Sequence, residues 1–150
     1  MAFCSDRDGR VRFLPVEEIP ATGAGPAVEA FQSYPALLRG DGEIPDALLS
    51  AGPGLDVAHR DARLALGELR DGRLLVALTR FAGAGEALGS LPVGPTVPEM
   101  ASILGALGCR KAVMLDGGIS AQLAIRDASG TLRTWRGWRK VPLALVAYPR

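Results

Sequence analysis

Two extended runs, Arg63 to Leu69 and Arg73 to Thr79, flank Arg70-Asp71-Gly72, and this arrangement constrains the fold more than any other feature of the chain. An Asp-Gly pair supplies the positive φ of a tight hairpin turn, so the two runs are read as antiparallel neighbours. Leu74 to Leu78 is apolar without alternation, the pattern of a strand covered on both faces, which puts this hairpin in the middle of a layered core. A second hairpin is read over residues 1 to 16, turning at Arg7-Asp8-Gly9.

The remaining segments are shorter. Ile19 to Pro26 holds two Pro and two Gly and reads as a loop. Val28 to Leu38 reads as a strand running into a turn, because Pro35 removes a donor and fixes φ. Asp41-Gly42 and Ile44-Pro45 mark a further turn, Ala47 to Leu49 gives at most one helical turn, and Gly52-Pro53-Gly54 is a loop. Phe81 to Pro95 exceeds the roughly 4 to 6 residues of an ordinary connection and is a candidate lid. Thr96 and Glu99 form a T-x-x-E capping box at a helix start. Val97, Met100, Ile103, Leu104 and Leu107 make one apolar stripe at helical spacing, and Gly108 ends it in a left-handed conformation. Ala112 to Leu115, Ala121 to Arg126, Thr131 to Trp135 and Leu143 to Tyr148 read as strands, the last closing the fold. The fold class expected is α+β: a mixed, largely antiparallel β-sheet core with one main packed helix at about 96–107 and short helical turns.

At 150 residues the chain suits one domain, and two separate cores are not expected. Seventeen basic against sixteen acidic residues leave a net charge of +1, so no global field favours nucleic acid or an anionic membrane, and neither is expected as a partner. Arg, Asp, Gly or Pro interrupts every apolar run well short of the roughly 18 to 20 residues of a membrane span. Charges in Met1 to Arg12 stand where a secretory signal needs its apolar stretch, so no signal peptide is read. Cys4 and Cys109 lack metal spacing and either pair with each other or remain free, the free state being favoured and the redox compartment undecided.

Chemistry concentrates in Leu115-Asp116-Gly117-Gly118-Ile119-Ser120. A buried strand ends at a carboxylate and is followed by two residues without Cβ. Gly117 and Gly118 let backbone N–H groups converge on an anion, Ser120 adds a hydroxyl, and Asp116 suits orienting a sugar hydroxyl or exchanging a proton. The same spacing also serves a plain strand-to-strand turn that needs positive φ.

A strand ending in LDGGxS after a helix and a Gly resembles the signature of phosphodiester glycosidase domains. Three further segments resemble that family in the same order. Gln32-Ser33-Tyr34-Pro35-Ala36-Leu37-Leu38 is followed by the turn at Asp41-Gly42; Arg63-Leu64-Ala65-Leu66-Gly67 is similar to its R-T-A-I-G strand; and Gly94-Pro95-Thr96-Val97-Pro98-Glu99-Met100-Ala101 is similar to its G-x-T-x-x-E-L-A helix start. The resemblance covers roughly residues 27 to 125, and the shorter bacterial members look closer than the animal enzyme. Two departures stand out: the family's N-terminal Asn-Gly-Gly segment has no match, as if the N-terminal part of the domain were missing, and Leu64 replaces a Thr or Ser.

The resemblance implies a hydrolase that cleaves the glycosidic bond of a sugar-1-phosphodiester, or a non-catalytic module of the same fold that binds a phosphorylated sugar or glycan. It also implies a periplasmic or extracellular setting. Asp116 and His59 are the catalytic candidates, with the exact role of Asp116 open between nucleophile, base and hydroxyl anchor. Arg63, whose planar fork grips two oxygens at once, is the candidate for the phosphate. Gly117, Gly118, Ser120, Gln32 and Ser33 are the remaining substrate-binding candidates. No metal ligands and no cofactor are assigned. Trp135, Arg136, Trp138, Arg139 and Lys140 mix aromatic faces with positive charge and suit stacking on a sugar or a base, or else form a solvated hairpin.

Overall fold

The computed structural model describes residues 1–19, 27–50, 56–80 and 93–148. Strand β1 (Ala2–Asp6) turns through Gly9 into β2 (Val11–Leu14), and β3 (Ala27–Gln32) pairs with the other edge of β1. A second sheet runs in the order β4-β7-β5-β6, from β4 (Ala36–Leu38), β5 (Arg63–Leu69), β6 (Leu74–Thr79) and β7 (Cys109–Met114). Helix α1 (Val97–Ala106) joins β6 to β7 in chain order, and β8 (Leu123–Arg126) pairs with β9 (Leu132–Trp135) as a separate ribbon. Every strand pairing among the described residues is antiparallel, and the fold is the expected α+β class, mostly strand with one main helix and short 3-10 turns.

Alternation along β5 and β7 builds two cores, one on each face of the four-stranded sheet. Ala65, Ala112 and Met114 face α1 and pack with Leu37, Met100, Ala101 and Leu104. Leu66 and Val113, partners in register, face the other way onto Phe13 of the three-stranded sheet, with Phe3 edge-on to Phe13 at 5.8 Å. The layers are therefore helix, sheet, sheet. Burying each Phe, Leu or Met side chain completely stabilises this stack by about 1.5–3 kcal/mol.

Several expectations need correction. Leu74 to Leu78 does not lie in the middle: β6 is an edge strand, with Leu74 40% and Val76 46% exposed. The chain returns through α1 and inserts β7 on the far side of β5, so β5 and β7 take the centre. Val28 to Leu38 is two strands in two sheets, broken at Ser33 to Pro35. Leu143 to Tyr148 forms no strand, because it meets no sheet edge among the described residues. Ile103 and Leu107 are exposed, and Ala101 takes a place in the buried stripe of α1. The turns of both N-terminal and central hairpins fall where expected, with Gly9 at φ 67° and Gly72 at φ 84°. Cys4 and Cys109 are both free and buried, and burial raises the Cys109 thiol above its ordinary value. The Ile19 to Pro26, Gly52 to Gly54 and Phe81 to Pro95 loops lie outside the described residues except at Ile19 and residues 93–95.

The α1 start is a reciprocal capping box: Glu99 N–H donates to Thr96 Oγ1 at 3.3 Å and Thr96 N–H to Glu99 Oε2 at 2.9 Å. Arg60 grips the same carboxylate with two nitrogens, at 2.9 and 2.7 Å, and donates to the Gly94 carbonyl at 3.0 Å. The Arg60 hydrogen bond first, then that from Thr96, holds the Glu99 carboxyl below its usual range. A depressed folded-state pKa contributes stability that is present above the ordinary value and lost as pH falls through the lowered one. We expect the urea-midpoint difference between the native chain and Glu99→Gln to be largest above pH 4.5, the ordinary value, and to shrink on acidification below it. A difference independent of pH contradicts this account.

Candidate functional site

β5 and β7 meet at one corner of the larger sheet. Ala65 pairs with Met114, and the Leu115 N–H donates to the Leu64 carbonyl at 2.8 Å. Arg63 and Asp116 are the chain neighbours of the two residues in that bond. The chain then leaves the sheet: the Gly118 N–H donates to the Ala62 carbonyl at 2.7 Å, and Gly118–Ser120 make a single 3-10 turn. Asp116 stands exposed at this exit, and Ser120 is buried in the turn that follows.

The loop before β5 is clamped against the start of α1. The Val97 N–H donates to the Val57 carbonyl at 3.1 Å, and Arg60 binds Glu99 and Gly94 as above. Arg63 donates through Nε to the Pro95 carbonyl at 3.1 Å and through Nη2 to that of His59. Burial draws its guanidinium below its ordinary value, and the Asp61 and Asp56 carboxylates oppose that shift. Arg63 thus holds residues 59 and 95 together, a structural duty that its sequence position did not reveal.

Three glycines make room for this loop. A Cβ on Gly94 would fall 2.1 Å from the Asp61 carbonyl oxygen, one on Gly117 2.7 Å from that of Ala62, and one on Gly118 2.6 Å from Asp61 Oδ2. Gly118 also sits at φ +56°, where side chains are strained. The glycines were expected to turn free N–H groups toward an anion. In the fold Gly117 admits the Ala62 carbonyl and Gly118 the Asp61 carboxylate, and the Gly118 N–H is engaged by the Ala62 carbonyl.

The other candidates fall at varied distances from this corner. His59 is exposed, its Nε2 3.9 Å from Asp61 Oδ2. Ser33 Oγ donates to the Met114 carbonyl, two residues before Asp116, a long-range bond that ties the end of the smaller sheet to the larger one. Gln32 is exposed at the end of β3, across from Ala2. Sequence reasoning missed Asp61: it touches Gly118, accepts from the Ala62 N–H at 2.8 Å and lies beside His59. Its only signal was membership of the charged His59-Arg60-Asp61 run.

Beyond β9 the chain folds back onto the corner. Trp138 and Arg139 N–H groups both donate to the Ile119 carbonyl, at 2.8 and 3.1 Å, and Gln122 Nε2 donates to the Arg139 carbonyl at 2.7 Å. A shallow hollow of about 630 Å³ lies at the opposite end of β5, lined by Asp6, Arg10, Arg12, Glu68 and Leu74 among others. Among the described residues no three His, Cys, Asp or Glu side chains gather as a metal ion requires, and no helix is long and apolar enough to cross a membrane.

Helix-backed antiparallel sheets with a carboxylate and two glycines just past the end of a central strand define an α+β fold. The chain belongs to the phosphodiester glycosidase family, whose model matches residues 1–148. Its fold is similar to that of a hypothetical protein from Synechocystis, with TM-score 0.52 and 28% identity over 76% of this chain and 19% of that one. It is also similar in fold to the zebrafish N-acetylglucosamine-1-phosphodiester alpha-N-acetylglucosaminidase catalytic domain, auto-inhibited by its pro-peptide, with TM-score 0.60 and 23% identity over 88% of this chain and 43% of that one. The chain thus spans less than half the length of either structure. Comparison with curated proteins found no significant match.

Proposed function

We propose that this chain carries the active corner of a hydrolase that cleaves the glycosidic bond of a sugar-1-phosphodiester, with N-acetylglucosamine as the sugar. Water supplies the hydroxyl that ends on the anomeric carbon, and the phosphate departs as a monoester that keeps its alcohol. Phosphate is a good leaving group, so the reaction asks for charge stabilisation more than for a strong general acid. The observation that supports the reading is the bond from the Leu115 N–H to the Leu64 carbonyl at one sheet end, which makes Arg63 and the exposed Asp116 the chain neighbours of two bonded residues. In this reading Asp116 faces the anomeric carbon, where positive charge develops, and Arg63 and His59 attend the phosphate oxygens.

One observation favours a second reading, a binding module of the same fold without turnover. Arg63 and the Gly118 N–H are already engaged by backbone carbonyls, which leaves fewer donors for a departing phosphate. The two readings separate on one experiment: incubating the chain with the methyl ester of N-acetylglucosamine-1-phosphate and following free sugar by chromatography. Release of N-acetylglucosamine is the expected result. Saturable binding with no sugar released transfers the conclusion to the binding module.

A further inference from the structure

We infer that Trp138, with Arg136, Arg139 and Lys140 within two residues of it in the chain, forms a leaving-group subsite of the same corner, and that the leaving group is a ring compound carrying negative charge of its own. This rests on the hydrolase reading for its geometry at Asp116.

The tie to the corner is direct. The N–H groups of Trp138 and Arg139 both end on the carbonyl of Ile119, three residues after Asp116. Three Cα steps span at most about 11 Å. The fold-back leaves no room at Gly137, where a Cβ would lie 2.7 Å from that same carbonyl oxygen. Trp138 is consequently held beside the corner by backbone, yet 65% of it remains exposed. An indole presented in this way offers an apolar face to a flat partner.

Charge says which partner. Arg136, Arg139 and Lys140 are all exposed and enter no ion pair among the described residues. The whole chain carries a net charge of only +1, so three cations within five residues make a local field. The sugar being released is neutral, and the scissile phosphate carries a single negative charge that Arg63 attends in the proposed site. The additional cations therefore match an anion beyond the scissile phosphate, on the alcohol side, where the indole meets a ring. A hexose phosphate and a nucleoside phosphate share this chemistry.

The test uses N-acetylglucosamine-1-phosphate esterified to methanol, to a hexose phosphate and to a nucleoside phosphate. Trp138→Ala is expected to raise KM for a charged-ring ester about tenfold more than for the methyl ester, the scale of a lost stacking contact. Changing Arg136, Arg139 and Lys140 together to Gln is expected to raise the same KM at low salt and to matter less at high salt. The ester that shows the larger differential names the source of the ring. Equal changes for all three esters overturn the subsite. Binding is read separately by tryptophan fluorescence, since Trp135 survives as the reference fluorophore in Trp138→Phe. Quenching by a charged-ring ester that Trp138→Phe abolishes, without turnover, overturns the hydrolase reading and keeps the subsite. Neither quenching nor turnover overturns both.

Discussion

Asp116→Asn is expected to lower the rate of sugar release by about 100- to 10,000-fold, the range for removing a positioned proton-transfer or charge-stabilising group. The substitution keeps the shape of the side chain and removes only its charge and basicity. Asp116 is exposed at the exit of β7, and no hydrogen bond or ion pair engages its carboxylate among the described residues. No core contact is lost, so stability should stay within about 0.5 kcal/mol of the native chain. Urea midpoints measured beside the assay separate the two effects. Undiminished release from a folded Asp116→Asn removes Asp116 from the mechanism and moves attention to Asp61, the second carboxylate beside Gly118.

Gly94→Ala is expected to cost about 3 kcal/mol or more, the upper end of what overpacking brings. Its Cβ would stand 2.1 Å from the Asp61 carbonyl oxygen and 2.7 Å from the carbonyl carbon, both backbone atoms that cannot rotate away. Relief requires moving the 59–63 loop off the start of α1. That motion strains the Arg60 bond to the Gly94 carbonyl and the Arg63 bond to the Pro95 carbonyl. Gly105→Ala is the matched control. Gly105 lies inside α1 with nothing within 4 Å of an added Cβ, so alanine there should stabilise by up to about 1 kcal/mol. Denaturant unfolding of both variants checks the pair, and a native midpoint for Gly94→Ala refutes the clamp.

The two variants probe different links of one chain of cause. Gly94 lets the Asp61 backbone approach the start of α1, while Gly117 and Gly118 let the Ala62 carbonyl and the Asp61 carboxylate approach the exit of β7. Losing the clamp should therefore lower sugar release as well as stability, whereas losing the Asp116 charge should touch release alone.

Local signals were legible because they depend on residues close in the chain. Asp71-Gly72 specified its hairpin through the φ its turn requires, and Thr96 with Glu99 specified the start of α1 through reciprocal bonds three residues apart. Leu115 to Ser120 marked a close-approach segment because two adjacent residues lack Cβ. The order of strands was not legible. An apolar run such as Leu74 to Leu78 reads alike at the centre and at an edge, and only the insertion of β7 beside β5 decided which strand each face covers.

What the amino-acid order determined alone, then, was the set of hairpins, the capped helix and the glycine-flanked carboxylate, since each follows from backbone preferences over a few residues. Only tertiary structure decided what those glycines admit, which carbonyls Arg63 serves, that Asp61 shares the corner, and that Trp138 is returned to it. These depend on contacts between segments tens of residues apart, whose closure is settled by packing and by no local preference.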